Sequence, residues 1–514
     1  MISNLTNIIR SLFDSVILNA IIICVICFYY YSTYSHKWRK FNVPHSRPVP
    51  LFGNTFKMNM GLEHQVDTFD RIYNQFSNEK FCGFYQMMTP YLMIRDPELI
   101  NRIMVQDFSY FNDHGLEADP AINLLANSLF FLSGQKWKTM RQKLNTGFTP
   151  AKLRKTHDLI NECSEQLMVY IDEKLKQNDI IEMKQIAGKF STDAIGTCAF
   201  GLKLDAIKND NSEFRIHTKI LFQPSIRKYF IQLLVMFCPK LVKILKLQLY
   251  PRETTHFFNS VFSDVIKYRN KNNVFRNDLT QTLIEARKEL VLNNDLIDDN
   301  KFTELDIIGN AVLMFSSGSG TVASTLAFCF YELALNKDVQ DKLRKEIIIT
   351  KEKHNGQINN DFLTDLYYAN MVLDETARMY SITCTILRKA TKNYKVPNES
   401  LVIEKGQKII IPMYNIHHNP IYYSNPHIFN PERFSTEQKP TQLNGTFIPF
   451  GDGPRLCIGK RFAELEMKLV LSKILSQYEV LPCEKTEQPI DIRSKTGFIS
   501  PKNGIWLSLK PIVN

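Results

Sequence analysis

The sequence lacks the features that would divide it into separate domains. Over its 514 residues it has no tract rich in proline, glycine and serine, no block of like charge and no internal repeat. A chain of this length often forms about three domains, but no linker marks a boundary. Hydrophobic residues make up 44% of the chain, and 35 phenylalanines and 21 tyrosines among them can bury a large core. We therefore predict one large, mainly helical globule.

A compact basic segment interleaved with aromatic residues is also missing, so binding of nucleic acid is not expected. Lys and Arg number 63 against 52 Asp and Glu, which gives a formal net charge of +11. A positive excess of this kind suits an anionic membrane surface or an acidic protein partner. A basic surface without a specific partner explains the same composition equally well.

The ten cysteines show no spacing typical of a disulfide framework. Cys24 and Cys27 form a CxxC pair, but they lie in an apolar run without a second pair of ligands. Reduced thiols facing the cytosol fit this distribution better than disulfides. A GxGxxG fingerprint after a strand is missing as well, so we do not expect this chain to bind a nicotinamide dinucleotide itself.

An uncharged apolar run at residues 15–34 matches the length of a helix that crosses a bilayer. Lys37, Arg39 and Lys40 follow the run, whereas only Arg10 precedes it closely. The positive-inside rule then places the bulk of the chain in the cytosol. No small-residue cleavage site follows the run, which favours a retained anchor over a removed signal peptide. A buried helix of a soluble protein is the alternative.

The predicted organisation is an anchor over residues 1–43, a proline-rich hinge over 44–54 and a single domain over 55–514. Prolines in the hinge hold the preceding residues in extended conformations, which gives a stiff connector. In the domain, helical patterns extend from about 97 to 346. Apolar runs predict strands at 81–86, 91–94, 401–403, 408–412, 478–481 and 504–509.

A single cysteine in a glycine-rich loop is the most informative feature of the chain. Residues 450–459 read Phe-Gly-Asp-Gly-Pro-Arg-Leu-Cys-Ile-Gly, and residues 460–477 show the apolar spacing of an amphipathic helix. Cys457 therefore lies near a helix N-terminus, where an anion is favoured. The glycines allow backbone N–H groups to approach the sulfur, because no Cβ blocks them. This setting suits a thiolate that binds iron and leaves another coordination position free.

The pattern Phe-x-x-Gly-x-Arg-x-Cys-x-Gly resembles the segment around the haem-ligating cysteine of cytochromes P450. The resemblance implies that Cys457 is the proximal iron ligand and that Phe450 and Gly459 belong to the cofactor site. Local phrases such as Ile416-His-His and Phe447-Ile-Pro-Phe-Gly resemble the insect, xenobiotic-metabolising branch of the microsomal members. The implied fold is mainly α with a small β-rich part, the P450 fold, plus one N-terminal transmembrane helix.

Trp137 and Arg141 lie four residues apart in a helical pattern, so an indole N–H and a guanidinium can reach one anion. Considered alone, an ordinary amphipathic helix explains this pair as well. In P450s a similar pair contacts a haem propionate, and so do arginines at the positions of Arg388 and Arg455. The resemblance thus implies four donors to the two propionates of haem b.

Glu375 and Arg378 form an ExxR motif, with Arg433 downstream in Pro-Glu-Arg-Phe. An isolated ExxR occurs by chance in many helical proteins. Followed by Arg433 and the cysteine loop, it resembles the Glu-Arg-Arg network of P450s. Its implied role is structural, because it supports the loop and takes no part in catalysis.

The predicted helix 304–336 carries glycines and serines at its centre, where they disfavour a helix by about 1 kcal/mol per glycine. Such a cluster indicates a bend or groove, and close packing against another helix is the alternative. The segment containing Ser317, Gly318, Gly320 and Thr321 resembles the oxygen-binding groove of P450s. In that family the hydroxyl group at the position of Thr321 helps to deliver protons to oxygen, which makes Thr321 the predicted catalytic residue.

Two positions depart from the family pattern. Gly320 stands where relatives carry an acid, and it cannot relay a proton, so we expect slower or less coupled oxygen activation. Ser381 and Ile382 stand where relatives usually carry two prolines. We expect this second change to affect substrate selectivity and not haem binding.

The resemblance implies a haem-thiolate monooxygenase in the endoplasmic reticulum membrane, with its catalytic domain in the cytosol. Its electrons would come from NADPH through a separate NADPH–cytochrome P450 reductase, and cytochrome b5 is a second candidate partner. The expected substrate is a lipophilic small molecule, because the segments predicted to line the pocket are rich in Phe, Leu and Ile. Those segments are 108–131, 214–251, the groove helix 304–336, 381–387 and 495–500. A P450-fold isomerase or dehydratase acting on hydroperoxides, and a non-catalytic haem-binding chain, are the alternatives.

Overall fold

The computed structural model describes residues 17–22, 24–25, 28–29, 37–50, 52–223, 225–292, 303–437, 443–493 and 498–512. Its longer α-helices are α1 Gln65–Gln75, α2 Gly134–Asn145, α3 Pro150–Leu175, α4 Met183–Ile195, α5 Glu213–Phe222, α6 Ile226–Phe237, α7 Arg252–Asn272, α8 Leu279–Leu292, α9 Glu304–Leu335, α10 Lys337–Lys353, α11 Tyr367–Met379 and α12 Lys460–Gln477. Short helices lie at Lys37–Lys40, Phe56–Asn59, Pro97–Asn101, Pro239–Ile244, Asn360–Thr364 and Met413–His417.

Short strands in the described residues form three small sheets. The strands are β1 Phe81–Gln86, β2 Thr89–Ile94, β3 Ile180–Glu182, β4 Ile386–Lys389, β5 Tyr394–Lys395, β6 Val402–Ile403, β7 Lys408–Ile411, β8 Tyr478–Pro482 and β9 Trp506–Pro511. The largest sheet has the order β1-β2-β7-β4, the second has the order β3-β9-β8, and β5 pairs with β6. In the largest sheet only β2 and β7 are parallel, and Arg388 pairs with Ile409 across β4 and β7. The predicted mainly α architecture with a small β part is confirmed.

Helix α9 lies at the centre of the core. Its first turn is fixed by a capping box, in which the Thr303 hydroxyl accepts from the Asp306 N–H and the Asp306 carboxylate accepts from the Thr303 N–H. Most of its side chains are buried. Within the described residues α9 is the one helix long and apolar enough to cross a membrane, yet 72% of its most apolar stretch is buried in the protein. It is therefore a core helix of the globule.

The structure corrects several predicted strand boundaries. Strands β3, β4 and β5 were not predicted, because each has at most four residues and carries a charged residue at its end. The strand predicted at 504–509 begins two residues later, at Trp506. The helix predicted at 460–477 has the bounds of α12, and the helix predicted at 304–336 ends at Leu335.

The predicted anchor falls mostly outside the described residues. Of the span 15–34, residues 17–22, 24–25 and 28–29 are described, and they are helical with exposed side chains. Further along, Trp38 is 2% exposed and belongs to the core formed with the largest sheet. The hinge predicted at 44–54 lies along β1, since the Gly83 N–H donates to Pro44 O at 2.7 Å and the Asn54 N–H donates to Tyr85 O at 2.7 Å. This connector is thus hydrogen-bonded to the globule.

Candidate active site

The cysteine loop is held in one shape by its glycines and by backbone hydrogen bonds. Gly451 and Gly453 have φ of +74° and +66°, in the left-handed region that favours glycine. A Cβ on Gly453 would overlap Met104 O. The Cys457 N–H donates to Phe450 O at 2.9 Å, which closes the loop, and α12 begins three residues after Cys457. The predicted position of Cys457 just before a helix N-terminus is confirmed.

The Cys457 side chain is exposed, yet burial is the largest cause that raises the pKa of its thiol. Both observations hold if the sulfur faces an internal recess instead of the outer surface. The Gly459 N–H, the Arg141 guanidinium and the Lys460 ammonium act in the opposite direction and lower this pKa. A metal ion bound to the sulfur would supply the further stabilisation that a thiolate needs. Apart from the adjacent residues in the chain, no atom of the described residues lies within 4 Å of the position of a Cβ on Gly459.

Three guanidinium groups come together beside this recess. Arg388, on β4, is 2% exposed, its Nε has no hydrogen-bond partner, and burial lowers its pKa to about 10. Arg141, on α2, is half-buried, and burial lowers its pKa too. The pKa of Arg455 is lowered to about 9, first by burial and then by repulsion from Arg388. Among the described residues no carboxylate forms an ion pair with any of the three.

Arg455 is positioned by backbone carbonyl groups and by an aromatic ring. Its Nε donates to Asn112 O and its Nη2 to Leu132 O, both at 2.8 Å. The guanidinium carbon lies 4.3 Å from the centre of the Trp137 ring. Trp137 and Arg455, which are 318 positions apart in the chain, therefore form one wall of the site.

The predicted Glu-Arg-Arg network is present and buried. Arg378 donates from Nε and Nη2 to the two oxygens of Glu375 at 2.7 and 2.8 Å, and Arg433 Nε donates to Glu375 Oε1 at 3.2 Å. The Asn430 N–H adds a bond of 2.9 Å to the same oxygen. Glu375 and Arg378 are both 0% exposed. A buried ion pair is stable when all its members are paired in this way.

One face of α9 is accessible while its surroundings are buried. Leu313, Ser317, Gly320, Thr321 and Thr325 are all partly or fully exposed, and their spacing of three to four residues places them on one stripe. An exposed stripe at the centre of a core helix indicates a recess inside the protein. Of the predicted groove residues, Ser317, Gly320 and Thr321 therefore share a face that a ligand can reach.

The two alternatives for the glycine cluster apply to different residues. A Cβ on Gly318 would lie 3.0 Å from Ile195 Cδ1, so this glycine allows close packing against α4. Beyond the backbone of α9 itself, a Cβ on Gly320 would meet no atom of the described residues within 4 Å. The helix is continuous through the cluster, and a break is not observed. The Thr321 hydroxyl donates to Ser317 O at 2.7 Å, so it must release this carbonyl before it can donate to a ligand.

Comparisons with known proteins identify the family. Residues 43–509 match the sequence model described as Cytochrome P450. The chain belongs to the cytochrome P450 family. It is 35% identical to "Probable cytochrome P450 6a13" of Drosophila melanogaster over 92% of this chain and 94% of that protein. It is 33% identical to "Cytochrome P450 6k1" of Blattella germanica over 97% of both chains, and 34% identical to "Cytochrome P450 6B2" of Helicoverpa armigera over 96% and 97%. The predicted likeness to insect P450s is thus confirmed, and the protein is a haem-thiolate monooxygenase.

The residues of this P450 fit haem. Arg141, Arg388 and Arg455 concentrate positive charge that only the more distant Asp113 carboxylate offsets, and among the described residues none of the three has an ion pair. The two propionates of haem would supply that partner. Cys457 would hold the iron, and thiolate ligation favours cleavage of the O–O bond when haem is bound. The Trp137 indole N–H has no acceptor among the described residues, so it is free for the same anion. Each predicted cofactor-binding residue except Phe450 therefore has a feature that suits haem. Phe450 acts through its backbone carbonyl, which accepts from the Cys457 N–H.

Two residues of the site were missed by sequence reasoning. His114 lies 3.3 Å from Arg455 Nη1 and 3.0 Å from Phe130 O through its Nδ1. Burial and the charges of Arg455 and Arg388 lower its pKa to about 3. His417 is 0% exposed and accepts a hydrogen bond at its ring Nε2 from the Ile448 N–H at 3.1 Å. Neither histidine has a motif spacing, because its partners lie far away in the chain.

Proposed function

We propose that this P450 oxidises lipophilic small molecules with electrons that NADPH supplies through a separate reductase. Its site would be held at the cytosolic face of the endoplasmic reticulum membrane, in keeping with a role in xenobiotic metabolism. The observation that carries the proposal is the exposed Cys457 sulfur beside three arginines without carboxylate partners. In this arrangement Cys457 binds iron, while Trp137, Arg141, Arg388 and Arg455 bind the propionates.

On the side of the site away from Cys457, the groove residues of α9 would hold and move protons. Thr321 would accept and donate hydrogen bonds near the reacting oxygen. When its hydroxyl does not donate there, it donates to Ser317 O. Gly320 leaves space in which water can move protons, because a Cβ there would have no neighbour within 4 Å. Gly318 keeps α9 close to α4 and so fixes the position of the groove.

Apolar side chains support a lipophilic substrate. Phe131, Phe214, Phe222 and Leu313 are only partly buried although they pack against the main core. Phe214 lies 4.9 Å from Phe315 of α9, measured between ring centres. Leu313 is itself on the accessible stripe of α9, and partly buried apolar side chains of this kind are typical of sites for apolar ligands.

The reductase would dock on a basic face that includes Lys136, Lys138, Arg141, Lys143 and Lys460. The structure refines this hypothesis, since Lys136 forms an ion pair with Asp306 at 3.1 Å and Lys143 pairs with Glu289. Lys138 is exposed and has no ion pair among the described residues. A substitution at Lys138 therefore tests the docking face without breaking an ion pair. Cytochrome b5 is a second acidic candidate for the same face.

The decisive experiment measures turnover of lipophilic compounds with and without reductase in the presence of NADPH. We expect product with reductase and none without it, and none in Cys457→Ser. Lys138→Glu should raise the reductase concentration needed for half-maximal rate, whereas Lys405→Glu, an exposed lysine before β7, should not. An unchanged titration in Lys138→Glu would refute the docking surface but not the monooxygenase activity.

The loss of the groove acid at Gly320 favours one second candidate, a P450-fold isomerase or dehydratase that acts on hydroperoxides. The retained Thr321 hydroxyl favours the monooxygenase. Turnover of hydroperoxides without reductase or NADPH, at a rate above that of oxygenation, would establish the second candidate instead.

A further inference from the structure

Ser381 is the first of the two residues that replace the usual prolines. It is buried, and its hydrogen bonds lead toward the cysteine loop. It is 1% exposed, and its Oγ lies 2.7 Å from His417 Nδ1. The same Oγ lies 3.0 Å from Ala377 O, in the last turn of α11. Ser381 thus joins the end of the ExxR helix to His417.

The hydrogen bonds of His417 determine its tautomer. Its Nε2 accepts from the Ile448 N–H at 3.1 Å, because a backbone N–H can only donate. Burial and the nearby charges of His418 and Arg378 lower the pKa of His417 well below its usual value, so the ring is neutral. The proton of a neutral ring must then be on Nδ1, which donates to Ser381 Oγ. The Ser381 hydroxyl in turn donates to Ala377 O.

This gives one directed chain of hydrogen bonds from Ile448 through His417 and Ser381 to α11. Ile448 lies in the segment 447–451 that enters the cysteine loop, and Phe450 O of that segment accepts from the Cys457 N–H. His417 O also accepts from Arg378 Nη1 at 2.8 Å, so the histidine connects the loop to the Glu-Arg-Arg network as well. The ring contacts Phe447 at 5.8 Å between ring centres.

We propose that Ser381 is a positioning residue for the cysteine loop and acts through His417. Its hydroxyl is the acceptor that holds the His417 proton on Nδ1 and keeps Nε2 available to the Ile448 N–H. Without it, Nδ1–H keeps only the Arg378 backbone carbonyl as an acceptor, or the proton moves to Nε2 and the Ile448 bond is lost. The proposal rests on the role of Cys457 as the iron ligand. It means that Ser381 affects the cysteine loop and not, as the sequence suggested, substrate selectivity.

The test is hydrogen exchange of the full-length, haem-loaded protein, read on peptides that contain Ile448. In Ser381→Ala we expect exchange at Ile448 to be about tenfold faster or more, because a buried donor or acceptor loses its partner. Ser381→Thr keeps the hydroxyl and should keep the protection. Haem should also be lost faster from Ser381→Ala, and less of its reduced carbon monoxide complex should show the band of thiolate ligation.

Three further variants make the result specific. Ser472→Ala removes another fully buried serine, whose Oγ has no partner among the described residues, and should change neither readout. His417→Phe should expose Ile448 as Ser381→Ala does, and Ser381→Ala should then add nothing in that background. Additive effects, or unchanged Ile448 exchange in Ser381→Ala, overturn the proposal. Cys457→Ser should lose the thiolate band with Ile448 still protected, so a failure of the haem assignment is distinguishable.

Discussion

At the scale of single residues, the site contains charged groups that need a partner from outside the chain. Arg388 illustrates this, since it is almost fully buried and its Nε has no hydrogen bond. An uncompensated buried charge destabilises a protein, whereas a paired one does not. Arg269 provides the contrast, because it is equally buried but forms a bidentate pair with Asp278 at 2.6 and 2.7 Å.

We predict that Arg388→Met has effects of opposite sign in the haem-free and haem-loaded protein. The haem-free chain should gain about 1–3 kcal/mol in the free energy of unfolding, because an unpaired buried charge is removed. The loaded protein should release haem about tenfold faster or more, which urea unfolding and haem transfer to a scavenger protein can measure. Arg269→Met is the matched control, and it should destabilise both forms by about 3–5 kcal/mol. Equal destabilisation of both forms by Arg388→Met would contradict a role in haem binding.

A second residue-scale prediction concerns Gly320. Gly320→Asp and Gly320→Glu should increase the product formed per NADPH consumed, because a carboxyl group can relay protons and the position has room for a side chain. Positioned acids and bases contribute about 10²–10⁴-fold to proton transfer, so even partial function is measurable. Gly320→Asn is the control of similar size without an acid. If neither acidic variant improves coupling, the missing carboxylate is not what limits this enzyme.

At the scale of secondary-structure elements, helix α12 carries a carboxyl group that the site does not use. Glu466 is 0% exposed, and neither of its side-chain oxygens has a hydrogen-bond partner in the described residues. Burial raises its pKa well above the usual 4.5. The folded protein therefore keeps this proton at pH values where the unfolded chain has released it.

We predict that Glu466→Gln changes the pH dependence of stability. Between pH 4.5 and the raised pKa, the folded state binds one more proton than the unfolded state. The wild type therefore loses stability as pH rises, by at most about 1.4 kcal/mol per pH unit. Glutamine stays neutral, so the variant should lose less and be the more stable protein at pH 8. Unfolding by urea at several pH values measures this, with the exposed Glu253→Gln as control; identical slopes in Glu466→Gln and wild type would contradict it.

Elements also show what the sequence could predict. Helix α12 was predictable to its ends, because its apolar periodicity begins after Gly459 and stops at a strand-forming run. Cys457 was found from its local glycine-rich setting, whereas the ExxR motif and the donors Trp137 and Arg141 were assigned through the resemblance of short motifs to P450s. The bond of Ser381 to His417 and the contact of His114 with Arg455 were not, because they join residues 36 and 341 positions apart. Tertiary packing alone brings such pairs together, and Ser381 was accordingly assigned to the substrate pocket.

At the scale of the whole molecule, apolar residues at the surface indicate more than one contact with lipid. Ile17, Leu18, Ile21 and Ile22 in the predicted anchor are between 46% and 59% exposed. A second group follows α6, where Leu241, Ile244 and Leu245 are 42%, 75% and 53% exposed. Exposed apolar clusters of this kind mark membrane or protein interaction surfaces.

We predict that a chain without residues 1–36 still binds phospholipid vesicles. Ile244→Glu combined with Leu245→Glu should weaken that binding about tenfold or more, since burying one apolar side chain contributes about 1.5–3 kcal/mol. Vesicle flotation measures the bound fraction. Ile421→Glu, at a residue that is 78% exposed elsewhere on the surface, is the control. Equal binding of the double variant and the parent would show that this surface does not meet the bilayer.

The middle position of β9 in the sheet β3-β9-β8 has a consequence for synthesis on the ribosome. Residues 180–182 leave the ribosome early but cannot find their neighbouring strand until residues 506–511 have been made. The cysteine loop also reaches its final position late, since Arg455 is held by Asn112 and Leu132 from the first third of the chain. Contacts between such distant segments slow folding. Haem capture is thus expected only after Arg455 has been made, and loss of residues 506–511 would remove the strand that joins β3 to β8.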